Sequence, residues 1–519
     1  MNAAASNHFP TFGKFARAIL RLIRSLPGKC LALMRWIQRF FFSRTSFKCY
    51  VVIATLICLT YTTLRWIGRR AWQAENERAA AAGMATDRLG FVTPMPRDED
   101  NFLAADIFRG LSDGSADNKK LKMWFSKTKY AQPLENRKNR ESEVPKPKKN
   151  TLAEWCEYFR KTGMLPAQSS HRSPAAELLA DQRWQPTIEA IFTAAARPSS
   201  RFPAWDHRER SSRPDMQIDP RVLFSLHKSI LLYSEAQLEL SNPSQAIPAF
   251  NVTKHLVEAH AAEPGYIPLL KLLAFLRAEF PLLQSGMRLH RLSAPVLQDL
   301  LTANYPERLP EITRRAIQFE RATCCSTLQN FPESFNGSSW ARDYPTRNFV
   351  LERLLPDYFP MCAAVRTSQH YARLHEAAAP LGTNEPWNTR IDTLADMPNL
   401  DLGTNYIFGN NAPGWSPMLE FNVCHVIPAI QVSIRHLAIT LELHYLLHSK
   451  YPPSLDQLDS SIAVSPHLTK DIDGQAIRYQ TNPERSHFTV YSVGMDGVEN
   501  SPIPYPDDNI VFSTDPGRP

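Results

Sequence analysis

The residues of this chain whose types and spacing suit chemistry are a few histidines, and the spacing argues against most of them. His255-Leu256-Val257-Glu258-Ala259-His260 carries the residue types of a zinc-protease helix. Such a helix needs both imidazoles on one face, at i and i+4, with the glutamate between them as general base. Here the histidines are five apart, so they leave the helix in different directions, and the segment reads as solvated helix. His444 and His448 do stand at i and i+4, with His436 roughly on the same side. No glutamate lies between them. They read as polar residues at a helix end, where a cation suits the helix dipole. No Gly-x-Ser-x-Gly, P-loop or Gly-x-Gly-x-x-Gly pattern occurs. Asp98 with Asp100, and Glu376 near Arg373, read as ordinary surface features. Of eight cysteines, Cys30, Cys49 and Cys58 lie early, in or before an apolar run. Cys156, Cys324, Cys325, Cys362 and Cys424 follow it. With no Cys-x-x-Cys pair, neither a zinc site nor a disulfide framework is indicated. One disulfide among the last five stays open, and the sequence does not pair it.

The elements that would carry these residues begin with a charge asymmetry. The chain has 519 residues and a net charge of +8, yet no acidic residue occurs before Glu75. Lys14, Arg17, Arg21, Arg24, Lys29, Arg35, Arg39, Arg44, Lys48, Arg65, Arg69 and Arg70 more than account for the excess. The remainder is close to neutral, which excludes nucleic-acid binding as the leading reading. Cys49 to Leu64 is uncharged, and Trp66 and Ile67 extend it past Arg65. A bilayer span takes about 20 apolar residues, so Lys48 and Arg65 must snorkel. The preceding region is too long for a cleaved signal peptide, and no small-residue cleavage site follows. The basic bias places residues 1–47 in the cytoplasm and the bulk outside. Phe12, Phe15, Ile19, Leu22, Ile23 and Leu26, then Leu31, Met34, Ile37 and Phe40 to Phe42, recur at helical spacing among basic residues. They predict one or two amphipathic helices lying on the anionic leaflet.

Beyond the span, Glu75 to Ala82 continues as a polar helix, and Phe102 to Leu111 reads as a short amphipathic helix. Ser112 to Asn150 is a Lys/Arg-rich linker. Thr151-Leu152-Ala153-Glu154 is a capping box opening a helix to about Lys161. Further helices are expected from Pro174 to Ala195, from Asp219-Pro220 onward, and over Ser244 to Ala262, Ile267 to Phe280, Ser293 to Asn304, Pro310 to Leu328 and Tyr358 to Ala378. A long helix near Asn422, apolar on more than one side, ends at Ser449-Lys450-Tyr451-Pro452. Strands follow at Ala476 to Gln480, His487 to Val493 and Asn509 to Phe512.

This last order, with Tyr451-Pro452-Pro453-Ser454-Leu455, Asp473-Gly474 and Tyr491-Ser492-Val493-Gly494-Met495-Asp496-Gly497, resembles the head of the type II secretion major pseudopilin over about residues 425 to 512. It also resembles the C-terminal module of a large uncharacterised bacterial family of single-span membrane proteins. Asp98-Glu99-Asp100-Asn101, Ala196-Arg197-Pro198 with Arg201-Phe202-Pro203, and Ile317-Gln318-Phe319-Glu320-Arg321-Ala322 resemble that family as well. In pseudopilins the loop after Ser-x-Gly-x-Asp-Gly binds calcium. The resemblance implies Asp496 as one ligand, with later oxygens from Asp507 or Asp508. Val498-Glu499-Asn500 and Pro502, Pro504 and Pro506 depart from the pseudopilin pattern there, and no prepilin processing motif is present, so the chain as a whole is not a pseudopilin.

The expected fold is α+β and predominantly α. It comprises a basic amphipathic cytoplasmic segment (1–47), a transmembrane helix (48–69), a post-membrane helix and linker (70–150), a periplasmic helical array (151–330), a Pro/Asn-rich region with one helix (331–420) and a pseudopilin-like long-helix and antiparallel-sheet module (421–519). The expected function is a non-enzymatic, membrane-anchored scaffold of the bacterial inner membrane, linked to secretion or pilus-like assembly, with envelope proteins as partners and no cofactor unless calcium. The alternatives are a periplasm-facing hydrolase whose site is assembled from scattered residues, and a calcium-stabilised envelope or adhesion protein.

Overall fold

The computed structural model describes residues 28–41, 43–84, 88–91, 94–108, 151–161, 165, 173–180, 185–202, 220–303, 305–329, 358–378, 427–458, 469–471, 474–493 and 511–515. The chain divides into two units, residues 1–74 with 329–362 and residues 75–328 with 363–519. Among the described residues it is predominantly helical, with one small antiparallel sheet.

The first unit holds α1 (Gly28–Phe41) and most of α2 (Arg44–Ala81). Ser43 caps α2 by accepting from the Ser46 amide at 3.1 Å. With 38 residues, α2 is roughly 57 Å long, about twice a 30 Å hydrocarbon core. Its apolar stretch is long enough to cross a membrane and none of it is buried in protein. Threonines fit there because their hydroxyls bond back to the helix: Thr55 Oγ1 donates to the Val51 carbonyl at 2.7 Å and Thr62 Oγ1 to that of Cys58 at 2.9 Å.

In the second unit proline sets the helix boundaries. The described helices are α3 (Leu152–Lys161), α4 (Pro174–Leu179), α5 (Gln185–Ala194), α6 (Pro220–Glu239), α7 (Pro243–Ala246), α8 (Pro248–Ala262), α9 (Tyr266–Ala278), α10 (Phe280–Arg288), α11 (Ala294–Thr302), α12 (Tyr305–Gln329), α13 (Tyr358–Ala378) and α14 (Ile427–His448). α4, α7, α8, α10 and α11 each carry proline at the first or second position, where its missing amide hydrogen is not needed. This corrects the sequence reading at several points. Residues 174–195 and 244–262 each form two helices, and Phe280–Arg288 is a helix in its own right. Pro310 does not open α12 but lies inside it. The Thr151 cap holds, accepting from the Glu154 amide at 3.4 Å. Phe102 opens a 3-10 turn, Phe102–Ala104, in place of the expected helix start.

The core of this unit is continuous. α6 packs on α4, α7 and α10, and α8 lies along α9. α14 lies against α11 and α9, and it also underlies β2 (Phe488–Tyr491) and β3 (Val511–Ser513). The sheet order is β1-β2-β3, with β1 spanning Arg478–Thr481. Both pairings are antiparallel, in the registers Tyr479↔Val490 and Val490↔Phe512. Phe488, Val490 and Phe512 face the core, and Phe512 meets Phe280 of α10 edge-on at 5.7 Å. The described part of the third strand is 511–513, and residues 509 and 510 of the expected 509–512 lie outside the described residues.

The segments Asp98–Asn101 and Ala196–Phe202 are clasped together. Asn101 forms a parallel bridge with Ser199. Its Oδ1 accepts from the Arg201 amide at 2.8 Å and the Leu103 amide at 3.3 Å, while Nδ2 donates to the Arg201 carbonyl at 3.0 Å. Arg197 Nη1 donates to the carbonyls of Asp98 and Asn101, both at 2.9 Å. Asn101 is fully buried, so Asn101→Ala leaves backbone groups without partners and should cost about 2–4 kcal/mol. Asn101→Asp should also destabilise, because a carboxylate cannot donate to Arg201. Thermal melts of the two variants beside wild type check this, and an unchanged melting temperature for either would contradict the clasp.

Candidate functional site

A helix as apolar all round as α14 buries polar atoms only at a cost, unless each finds a partner. Arg435 and Glu442 lie on it, seven residues and therefore two turns apart, and both are buried. Arg435 Nε donates to Glu279 Oε2 at 3.2 Å, Nη1 reaches the Leu300 carbonyl at 3.4 Å, and the guanidinium lies 5.6 Å from the Tyr305 ring centre. Glu442 Oε2 accepts from the Tyr451 hydroxyl at 2.5 Å, and Oε1 lies 3.0 Å from His290 Nδ1. Glu279 is the N-cap residue of α10, and His290 stands just past its C-cap, Leu289. The two side chains of α14 thus hold both ends of α10. The acid sits at the positive end of the helix dipole and the imidazole at the negative end.

The surroundings tune these groups. Burial pushes the Glu279 carboxyl up, and Arg435 opposes the shift. Burial likewise raises the Tyr305 phenol. The Tyr451 phenol rises through burial and then through Glu442. His290 stacks flat on Tyr445, with centroids 4.0 Å apart and planes 3° from parallel. Its backbone has a φ of 48°, a left-handed conformation that a non-glycine residue adopts at a cost of about 1 kcal/mol or more. Tyr451 is a hub for the sheet as well. Its amide donates to the Arg485 carbonyl at 2.9 Å and Arg485 Nε returns a bond to the Tyr451 carbonyl at 2.5 Å. Its ring meets Phe488 at 4.8 Å. Phe250, Asn251, Thr253, Glu279, Tyr305 and Arg435 line part of a recess with room for about one water molecule, which is too small for an organic substrate.

A second buried cluster surrounds the polar end of α2. Ser368 Oγ donates to Glu75 Oε1 at 2.6 Å and accepts from Arg321 Nε at 2.9 Å, and Arg78 meets Glu75 at 3.0 Å. Arg321 is fully buried, and desolvation lowers its pKa. α12 and α13 run antiparallel here: Cys325 reaches the Ala364 carbonyl, and Gln318 Nε2 lies 3.1 Å from His375. Ala79, Met84 and Ala372 pack beside them. In the last module Asp471, buried, accepts from Ser492 Oγ at 2.5 Å, the Val493 amide at 2.9 Å and Arg478 at 3.1 Å.

The sequence-derived candidates fall differently. Asp496, Asp507 and Asp508 lie outside the described residues. His255 and His260 are not solvated, which corrects that reading: both are buried. His255 Nε2 lies 3.0 Å from the Ala195 carbonyl and stacks on Phe102. His260 stacks on Phe275 and lies 3.3 Å from Glu263. Burial lowers the pKa of both. His444 is buried and His448 exposed, with rings 4.3 Å apart. Among the described residues no group of three or more His, Cys, Asp or Glu converges as a metal site. Sequence reasoning missed Arg435, Glu279 and His290. The available signal was a pair of opposite charges two turns apart on an otherwise apolar helix. Of the Pro/Asn-rich region 330–417, which the hydrolase alternative sets against the helical domain, the described structure contains α13. No protein-family model, curated protein or solved structure matches the chain.

Two predictions follow from the buried polar groups. Tyr451→Phe leaves Glu442 one donor short and should destabilise by about 1.5–3 kcal/mol. Tyr479→Phe, which removes a partly buried bond to the Pro452 carbonyl, should cost less, and equal losses on denaturation would contradict the hub. Glu235, held by Ser285 Oγ at 2.8 Å, is pushed by burial from 4.5 to about 7. Its folded form binds the proton more tightly, so its stabilising contribution is complete below 4.5 and lost as pH rises through 7. His227, bonded to Thr253 at 2.8 Å, is pushed by burial from 6.5 down to about 3. Its contribution is present above 6.5 and lost as pH falls toward 3. Glu235→Gln should therefore gain stability over wild type at pH 8 relative to pH 5, and His227→Gln should gain at pH 5 relative to pH 8. Melting temperatures at both pH values check the two opposite signs.

Proposed function

We propose that the protein is a non-enzymatic scaffold of the bacterial cell envelope, anchored in the inner membrane by α2. Residues before the span lie on the cytoplasmic side, and those from about 70 onward lie in the periplasm. The C-terminal module, by its resemblance to the pseudopilin head, ties the scaffold to a secretion or pilus-like assembly.

The observation that carries the reading is the polar end of α2. Glu75 is buried and bonded through Ser368 to Arg321, and Ala79 packs with Met84 and Ala372. Glu75 and Ala79, in the polar continuation of α2, are thus core residues of the second unit, which supports the reading of the helix as an anchor. The placement of basic residues before the span supports the orientation. The buried ionic groups around α14, α10 and Glu75 join elements to one another, which supports a load-carrying role over catalysis.

The test is in-cell crosslinking of the tagged full-length protein, followed by mass spectrometry of what co-purifies. The expected result is a protein that resists alkaline carbonate extraction and crosslinks to envelope assembly components. Release from the membrane by carbonate, or a crosslinked sample without envelope proteins, would overturn the proposal.

A further inference from the structure

We infer that α1 is a docking surface for anionic phospholipid headgroups and lies in the membrane plane beside the span. The inference rests on the anchoring of α2 and adds the lipid class that the first unit recognises.

Three observations meet on this helix. First, Leu33, Trp36, Ile37 and Phe40 recur at i, i+3, i+4 and i+7, the spacing of one helical face. Leu33 is 56% and Trp36 64% exposed, so two large apolar side chains of this stripe are turned outward. Second, the charge is of one sign. α1 carries Lys29, Arg35 and Arg39, the start of α2 adds Arg44 and Lys48, and no acid precedes Glu75. Arg35 and Arg39 are exposed and stand one turn apart. Third, only Phe42 and Ser43 separate α1 from α2, and the apolar stretch of α2 is wholly unburied. Two residues join α1 to α2, so the C-terminal end of α1 stays within roughly 10 Å of the start of α2. The apolar face and the cations of α1 then meet the interface together. Tryptophan favours that depth, and each arginine near an anionic surface strengthens binding about fivefold. A zwitterionic surface offers the apolar contact without the charge. A protein partner would have to match an all-cationic face while reaching it at the membrane surface.

The experiment uses the full-length protein in lipid nanodiscs, zwitterionic or containing phosphatidylglycerol, read by hydrogen exchange. Protection of residues 49–66 reports insertion of the span, and protection of residues 28–41 reports docking, so failure of the anchor and failure of the surface are separable. The expected result is strong protection of 49–66 in both discs and much stronger protection of 28–41 in the anionic one. Arg35→Gln with Arg39→Gln should reduce that gain roughly thirtyfold and leave 49–66 unchanged. Equal protection of 28–41 in the two discs would overturn the inference. So would no protection in either, or protection in the anionic disc that the double variant retains.

Discussion

The second unit depends on a constraint of α14: a helix buried on several sides that carries two opposite charges must place a partner at each. Arg435 and Glu442 meet that demand at the two ends of one short neighbour, α10. Ions of this kind are costly to desolvate and add little net stability over well-packed apolar side chains. What they supply is register. Slide α14 by one turn and both charges lose their partners in the low-dielectric interior. The position of α14 fixes the sheet, because β2 and β3 rest on it and Tyr451, which bonds Glu442, also holds the Arg485 turn.

The same logic recurs where distant segments meet. The Asn101 and Arg197 clasp joins residues about a hundred positions apart through backbone carbonyls and amides, so it depends on shape and tolerates change in neighbouring side chains. Asp471 does the equivalent for the Ser492-Val493 corner. Ser368 mediates between Glu75 and Arg321, where a hydroxyl can accept from one and donate to the other. In each case a small polar side chain satisfies backbone or charge that the apolar core cannot.

Much of the local structure was legible. The long apolar helix, its polar continuation, α3, α13 and the order of the C-terminal strands follow from hydrophobic runs, a capping box and proline placement. Two boundary errors share a physical origin: the sequence reading passes over Pro248 within one helix and stops at Phe280 before Pro281, when at both places proline opens a new helix directly after the previous one. Burial was less legible. His255 and His260 carry no mark of their surroundings, and only the packing of α8 against Phe102 and Phe275 makes them core residues. The residues holding α10 could not be paired from sequence, since nothing local relates position 279 to 435.

Those separations have a consequence for how the chain matures. The bonds from Arg435 and Glu442 close loops of 156 and 152 residues, and such distant pairings are slow to form. While the ribosome is still reading the codons between α11 and α14, the earlier helices already exist, yet the apolar faces that α14 will cover and the acid at the head of α10 have no partner. Only with α14 present can the core close, so a late segment decides when the helices before it become stable.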